Sequence, residues 1–221
     1  MADGKIEVFQ DLYLYKRESN REVLRTALIK AATTPWRHHA EQEKKIIECT
    51  GTNDDVIVFK RDESDGIDAV ELSLWSDNSG FKVSNIVPCE LGSLGEYKYN
   101  LALQDFVNQV VTPAKKITEF DVINSQSRQG LDDWLTPDAA KALRQFSGTP
   151  NKSTGSSHPA DRRRWLTFIF AVHRANLSLN AELLQRWFIE VASWPQDIAQ
   201  ELAIEYEFAL EILQQYEAES P

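Results

Sequence analysis

The chain has 221 residues, of which 42% are hydrophobic and 26% charged, and a formal net charge of −10. This composition predicts a soluble globular protein with a sizeable core, and its net negative charge disfavours broad binding to nucleic-acid phosphates. The sequence has no apolar N-terminal signal and no apolar run of about 18 residues, so we expect neither a leader peptide nor a transmembrane helix.

The N-terminal quarter of the chain predicts a strand followed by two helices. Residues 6–15 alternate in polarity, which indicates a half-buried strand with an aromatic second face. Ser19 and Glu22 form a capping box at the start of a helix. Pro35 is predicted to begin a second, mostly polar helix over about residues 36–48. The apolar stripe of the first helix consists of Leu24, Ala27, Leu28 and Ala31.

The middle of the chain predicts a sheet and one amphipathic helix. The continuous apolar run 56–59 favours a central strand, and residues 70–75 alternate as a second strand would. The turn 77–80 connects that strand to a hairpin partner over residues 81–87. Residues 117–123 are a further strand candidate. Between them, four apolar residues at helical spacing predict a helix: Tyr99, Leu103, Phe106 and Val110.

The C-terminal part of the chain is predicted to be helical. Thr136 and Pro137 supply an N-cap and a first helical residue, and that helix should end near Phe146. Three more helices are expected over about residues 159–175, 181–192 and 196–216.

These elements predict an α+β fold with a mixed, mainly antiparallel sheet and flanking helices. We expect an α+β domain over residues 1–146 and a Ser/Gly-rich linker over residues 147–158. The linker has no large apolar residue and should be the mobile point of the chain. A three-helix unit over residues 159–221 should pack on the first domain.

Charge is distributed unevenly along the helical part. Residues 151–186 have a net charge of +4, whereas residues 187–221 contain no Lys or Arg. An acidic last helix can attract the basic segment before it or present an acidic patch to a partner. We therefore predict that Glu201, Glu207 and Glu211 contact a partner, together with Trp75, which we expect to be exposed beside the hairpin turn. The acidic residues of the last segment are Glu190, Asp197, Glu201, Glu205, Glu207, Glu211, Glu217 and Glu219.

A helical wheel of the last helix predicts a wide buried face. Phe208 and Ile212 are expected to widen this face, and Glu205 lies inside it. The wheel places these further residues on the face: Ile198, Leu202, Tyr206, Ala209, Leu213 and Tyr216.

A carboxylate on a buried face requires a partner, because its desolvation is otherwise costly. His173 lies on the apolar side of the preceding basic helix and is the favoured partner of Glu205, in a buried structural pair. Arg164 and Arg174 are alternative partners. An acid–base couple is the functional alternative, but the sequence offers no nucleophile near either residue.

Two further patterns suggest ligand sites. Lys152, Arg162 and Arg163 surround a helix start, where backbone N–H groups and a run of arginines to Arg164 could bind an anion. The segment lacks the spacing of a phosphate-binding loop. The adjacent histidines 38 and 39 are too few for a metal site, which needs three or four ligands. We expect no metal, no cofactor and no catalytic residue.

The sequence thus favours a non-enzymatic, cytoplasmic interaction module of bacterial type, such as an immunity protein or an antitoxin. It would bind a basic protein partner through its acidic surface. The alternative is a phosphate- or nucleic-acid-binding regulatory protein, or a nuclease-associated subunit, that uses the linker and Arg162–Arg164. Homo-oligomerisation through the C-terminal helices is compatible with either. Cys49 and Cys89 are far apart in sequence and are expected to be reduced thiols.

Overall fold

The computed structural model describes residues 4–15, 21–51, 55–77, 80–149, 151–177 and 179–219. The strands are β1 Lys5–Glu7, β2 Leu12–Tyr15, β3 Trp36–His38, β4 Val56–Arg61, β5 Val70–Asp77, β6 Gly80–Pro88, β7 Asp121–Asn124 and β8 Arg128–Gly130. The helices are α1 Arg21–Ala31, α2 Ala40–Thr50, α3 Gly95–Phe106, α4 Thr112–Ala114, α5 Leu131–Trp134, α6 Pro137–Gly148, α7 Pro159–Arg174, α8 Ala181–Glu190 and α9 Gln196–Glu219. A π-helical segment, Val107–Val111, joins α3 to α4. The predicted α+β fold is confirmed.

The chain divides into two compact units. The sheet unit comprises residues 7–127, and the helical unit comprises residues 1–6 and 128–221. Each unit has its own cluster of buried apolar residues. None of the helices in the described ranges combines the length and apolar character needed to span a bilayer.

The sheet unit is built on six strands in the order β3-β4-β5-β6-β2-β7. Its described strand pairs are antiparallel, including the predicted β5–β6 hairpin, whose turn residues Asn78 and Ser79 lie outside the described residues. Buried side chains of the sheet, of α1 and of the helix that begins at α3 form one apolar cluster. These two helices therefore cover one face of the sheet. The four apolar residues predicted for each of these two helices are all buried.

Two predictions for the start of the chain are wrong. The expected strand over residues 6–15 is two strands, and β1 pairs with β8 whereas β2 lies between β6 and β7. The expected polar helix begins at Ala40 because residues 36–38 form the edge strand β3, beside β4. Trp36 is fully buried there, and its indole N–H donates to Asp105 at 2.7 Å. Ser19, the predicted N-cap of α1, lies outside the described residues.

The helical unit has a core rich in aromatic side chains. Phe146 of α6 lies at ring-centroid distances of 4.9 Å from Trp165 on α7, 6.2 Å from Phe188 on α8 and 5.5 Å from Trp194. Thr136 caps α6 as predicted, since its side chain accepts a hydrogen bond from the Ala139 N–H. Aromatic rings each bury a large apolar area, so this cluster ties α6 to the helices that follow it.

The boundary between the units differs from the predicted one. It falls between residues 127 and 128 rather than in the Ser/Gly-rich segment, and α6 belongs with the C-terminal helices rather than with the sheet. The helical unit also contains the β1–β8 pair, so it is larger than the predicted residues 159–221 and is not wholly helical.

The predicted linker over residues 147–158 connects α6 to α7 inside the helical unit. Most of its contacts are polar, and apolar periodicity in the sequence does not predict contacts of this kind. Ser147 is buried and its hydroxyl accepts a hydrogen bond from the Trp194 indole N–H at 3.1 Å. Ser156 is also buried, and a Cβ at Gly155 would lie 3.2 Å from Ile198. The segment is thus packed against the helical unit at both ends.

Candidate protein-interaction surface

The last helix, α9, is fixed to the helical unit along one face. Ala199, Leu202, Ala203 and Tyr206 of this face are buried. The Tyr206 ring stacks on Phe168 at 5.7 Å, and its hydroxyl donates to the carbonyl of Leu179 at 3.1 Å. Burial raises the pKa of Tyr206 above the usual value for tyrosine. This contact holds the segment before α8 against α9.

A groove runs beside α9 where that segment meets the helix. Its apolar part includes Leu177, Leu179, Leu210 and the Tyr206 ring, and its volume is about 710 Å³. The remaining residues that line it are Asn180, Ala181, Glu182, Glu207, Glu211 and Gln214. Among these described residues none is a lysine or an arginine, so the groove combines apolar walls with negative charge.

Three carboxylates border this groove. Glu182 of α8 and Glu207 and Glu211 of α9 are exposed, and they make no ion pair with the described residues. The structure therefore brings two of the predicted partner-binding residues, Glu207 and Glu211, to one groove. Glu201 is also exposed but does not line it. Glu182 was not predicted, because it precedes the acidic segment in sequence and joins the groove only through the packing of α8 on α9.

An apolar stripe lies on the solvent side of α9, next to the groove. Ile204, Phe208, Ile212 and Tyr216 follow one another at intervals of four residues, and they are 59%, 62%, 48% and 71% exposed. Residues at this spacing form one row on a helix surface. The prediction that Phe208, Ile212 and Tyr216 belong to the buried face is wrong, because α7 and α8 cover only the opposite side of α9. We call this row the α9 stripe.

The predicted buried pair of His173 and Glu205 is not formed. The Nε2 atom of His173 lies 2.9 Å from Oε1 of Glu217 instead. Glu205 pairs with Arg162, and it accepts a hydrogen bond from the Ser156 hydroxyl at 3.3 Å. The Glu205 side chain is 26% exposed. The sequence analysis allowed an arginine as the alternative partner, but it considered Arg164 and Arg174, whereas the partner is Arg162, two residues before Arg164.

The predicted anion-binding residues do not converge on a free site. Arg162 is paired with Glu205 and also donates to the Ser156 hydroxyl at 3.2 Å. The Lys152 ammonium donates to the carbonyl of Ala192. Arg163 is exposed on α7. Two of the three cations therefore already stabilise the packing of the segment that was predicted to be a linker.

Trp75 lies in the other unit and is not part of the groove. It is partly buried in the middle of the sheet, where it pairs with Val56 of β4 and Lys82 of β6. The expectation that Trp75 is an exposed residue at the hairpin turn is therefore only partly met, because β5 continues to Asp77.

The histidines of the sheet unit lie beside carboxylates of the same unit. His38 lies 2.6 Å from Glu43, whose other carboxylate oxygen is 2.5 Å from the Arg25 guanidinium. His39 lies 3.0 Å from a different carboxylate, Glu71. The Arg25 guanidinium therefore already compensates the charge of Glu43. Within the described residues, no three His, Cys, Asp or Glu side chains are grouped as metal ligands would be.

Residues 135–212 match the family model of a domain of unknown function, DUF1889. No curated protein and no solved structure matches the chain. The matched segment begins just before α6 and ends within α9, so it contains the aromatic core of the helical unit. It also contains the three groove carboxylates and the α9 stripe as far as Ile212. The candidate surface thus lies almost wholly within the segment that resembles this family.

Proposed function

We propose that the protein is a non-enzymatic, cytoplasmic interaction module that binds a basic protein partner. Immunity proteins and antitoxins are examples of proteins that act in this way. The carboxylates of Glu182, Glu207 and Glu211 would receive lysine or arginine side chains of the partner. The observation that carries the proposal is the groove beside α9. It has apolar walls, and the three carboxylates at its border form no ion pair with any residue that the structure describes.

The chemistry of the groove suits long cationic side chains. Lysine and arginine have apolar stems that pack against aliphatic residues while their charged heads remain near water. Leu177 and Leu210 offer such a wall, and the carboxylates lie at its edge. Because no lysine or arginine follows Arg186, no cation of α9 competes for these carboxylates.

The alternative, a phosphate- or nucleic-acid-binding protein, receives less support. Its proposed cations Lys152 and Arg162 are engaged with a carbonyl and a carboxylate of the protein itself. A phosphate would have to displace Glu205 from Arg162, and Glu205 would then repel it.

Titrations with two probes of opposite charge test the proposal. A lysine homopolymer of defined length should bind at low salt, and affinity should fall as salt is added. A single-stranded oligonucleotide of similar length should not bind. The triple variant Glu182→Gln, Glu207→Gln, Glu211→Gln should bind the lysine probe about tenfold more weakly, since three exposed ion pairs contribute roughly 0.5 kcal/mol each.

The matched control carries the same change in net charge elsewhere. The triple variant Glu41→Gln, Glu63→Gln, Glu90→Gln removes three exposed carboxylates from the sheet unit. It should retain nearly full affinity for the lysine probe. Equal losses in the two triple variants would contradict the proposal, because binding would then depend only on net charge. Binding of the oligonucleotide would favour the alternative function.

A further inference from the structure

The α9 stripe has a regular arrangement of charge around it. Glu201 and Glu207 lie three residues before and after Ile204, and Glu205 and Glu211 lie three residues before and after Phe208. Residues three apart are neighbours on a helix surface. Carboxylates therefore flank the first half of the stripe on both sides.

The stripe is long and partly aromatic. Soluble proteins rarely expose extended apolar patches, and those that they expose often mark interaction sites. Phe208 and Tyr216 are each more than half exposed. From Ile204 to Tyr216 the helix rises about 18 Å, at 1.5 Å per residue. This rise corresponds to between three and four turns of a partner helix, at about 5.4 Å per turn.

We propose that the α9 stripe is the apolar half of the interface, and that it binds an amphipathic helix of the basic partner with cations on both sides of its apolar row. The inference rests on the proposed function and specifies the partner's recognition element. Lysines or arginines flanking that row would face Glu201 on one side and Glu207 and Glu211 on the other. Glu205 is already paired with Arg162 and takes no part. The groove receives a further cation.

The spacing of the stripe also determines how the two helices meet. A row at intervals of four residues is a ridge of the type that packs between the corresponding ridges of another helix at a crossing angle of about −50°. A coiled coil requires alternating steps of three and four residues instead. The contact should therefore be a crossed pair centred on Phe208 and Ile212, the middle residues of the stripe.

A second copy of the chain is a poorer occupant of the stripe. Its α9 would bring the same acidic residues and no lysine or arginine, so the carboxylates beside one stripe would face those beside the other. Like charges in such a contact repel. Charge complementarity thus favours a different, basic chain.

The test uses the full chain and two peptides of identical composition. The first peptide has leucines at intervals of four residues, with lysines three residues to either side. The second has the same residues in scrambled order, without a helical apolar row. The first peptide should bind at least tenfold more tightly than the second, and it should gain helical circular dichroism on binding.

Two double variants of the protein test where the patterned peptide binds. Phe208→Ala with Ile212→Ala should weaken binding of the patterned peptide at least tenfold. The control Leu91→Ala with Ile117→Ala removes exposed apolar side chains from the sheet unit and should have no effect. All four residues are exposed, so circular dichroism of the free variants should match that of the unchanged protein.

The outcomes separate this inference from the proposed function. If both peptides bind equally and only the Glu182, Glu207, Glu211 triple variant weakens them, the basic-partner function stands and the helix inference is overturned. If neither peptide binds, both are overturned. A concentration-dependent dimer that Phe208→Ala with Ile212→Ala abolishes would assign the stripe to a second copy and overturn the inference.

Discussion

The sheet unit and the last helix of the helical unit differ in how they use charged side chains. In the sheet unit, buried ions are compensated within the unit: the Arg61 side chain is 1% exposed and lies 2.8 Å from Asp105. In the helical unit, α9 leaves most of its carboxylates exposed and places apolar side chains beside them. A buried charge without a partner is strongly destabilising, whereas an exposed one costs little. Buried charges therefore contribute to folding in the sheet unit, whereas the exposed carboxylates of α9 remain available for recognition.

The largest expected effect concerns the boundary of the helical unit. A fragment of residues 128–221 should unfold cooperatively, because it keeps Phe146 with its aromatic neighbours on α7 and α8. A fragment of residues 159–221 should not, because its core would lack that ring and the rest of α6. Urea unfolding followed by circular dichroism distinguishes the two. Cooperative folding of the shorter fragment would show that the helical core does not need α6.

Next in size is the loss of Asp105 from the sheet unit. Asp105→Ala leaves the Arg61 guanidinium without its carboxylate and removes the acceptor of the Trp36 indole N–H. We expect a loss of about 3 kcal/mol or more in the free energy of unfolding. The control is Asp132→Ala, which breaks an exposed ion pair with Arg144 in the helical unit. It should cost about 1 kcal/mol or less. Similar urea midpoints for both variants would contradict the comparison.

Tyr206 should make the helical unit sensitive to alkaline pH. Burial raises its folded-state pKa above the usual 10.0, so the unfolded chain releases this proton first as pH rises. Stability from this residue is fully present below pH 10 and declines above it. Tyr206→Phe should cost about 1 kcal/mol at pH 7, because the hydrogen bond to Leu179 is lost.

That deficit should shrink between pH 10 and 11, since phenylalanine has no proton to release. Urea midpoints of both proteins across this range provide the measurement, and a deficit that stays constant would contradict the assignment. In the sheet unit, burial raises the pKa of Tyr99 to about 12. Titration of Tyr99 lowers the free energy of unfolding equally in the unchanged protein and in the Tyr206→Phe variant. Its contribution therefore cancels in the difference between them.

The smallest effects compare carboxylates within α9. Glu205→Gln should cost about 1 kcal/mol, because Glu205 is partly exposed and its pair with Arg162 is screened by solvent. Glu207→Gln and Glu211→Gln should each cost about 0.5 kcal/mol or less. A loss near 3 kcal/mol for Glu205→Gln in urea would show that this carboxylate behaves as a buried ion and belongs with those of the sheet unit.

Local patterns predicted the elements whose signals are complete in a short segment. The stripe of α1, the N-cap at Thr136 and the β5–β6 hairpin all follow from periodicity or from capping and turn chemistry. The strand β3 escaped prediction because three residues are too short for a pattern, and its edge position depends on β4. The packed segment between α6 and α7 was missed because its anchors are hydroxyl contacts to distant residues.

The sequence by itself determined that the protein is α+β, that its last helix is acidic, and that Glu207 and Glu211 are accessible carboxylates. Only the tertiary structure decided which apolar side of α9 is buried. A helix that is apolar around most of its circumference has no unique inward face until its neighbours are placed. The partner of Glu205, the entry of Glu182 into the groove and the exposure of Phe208 all follow from how α7 and α8 pack on α9.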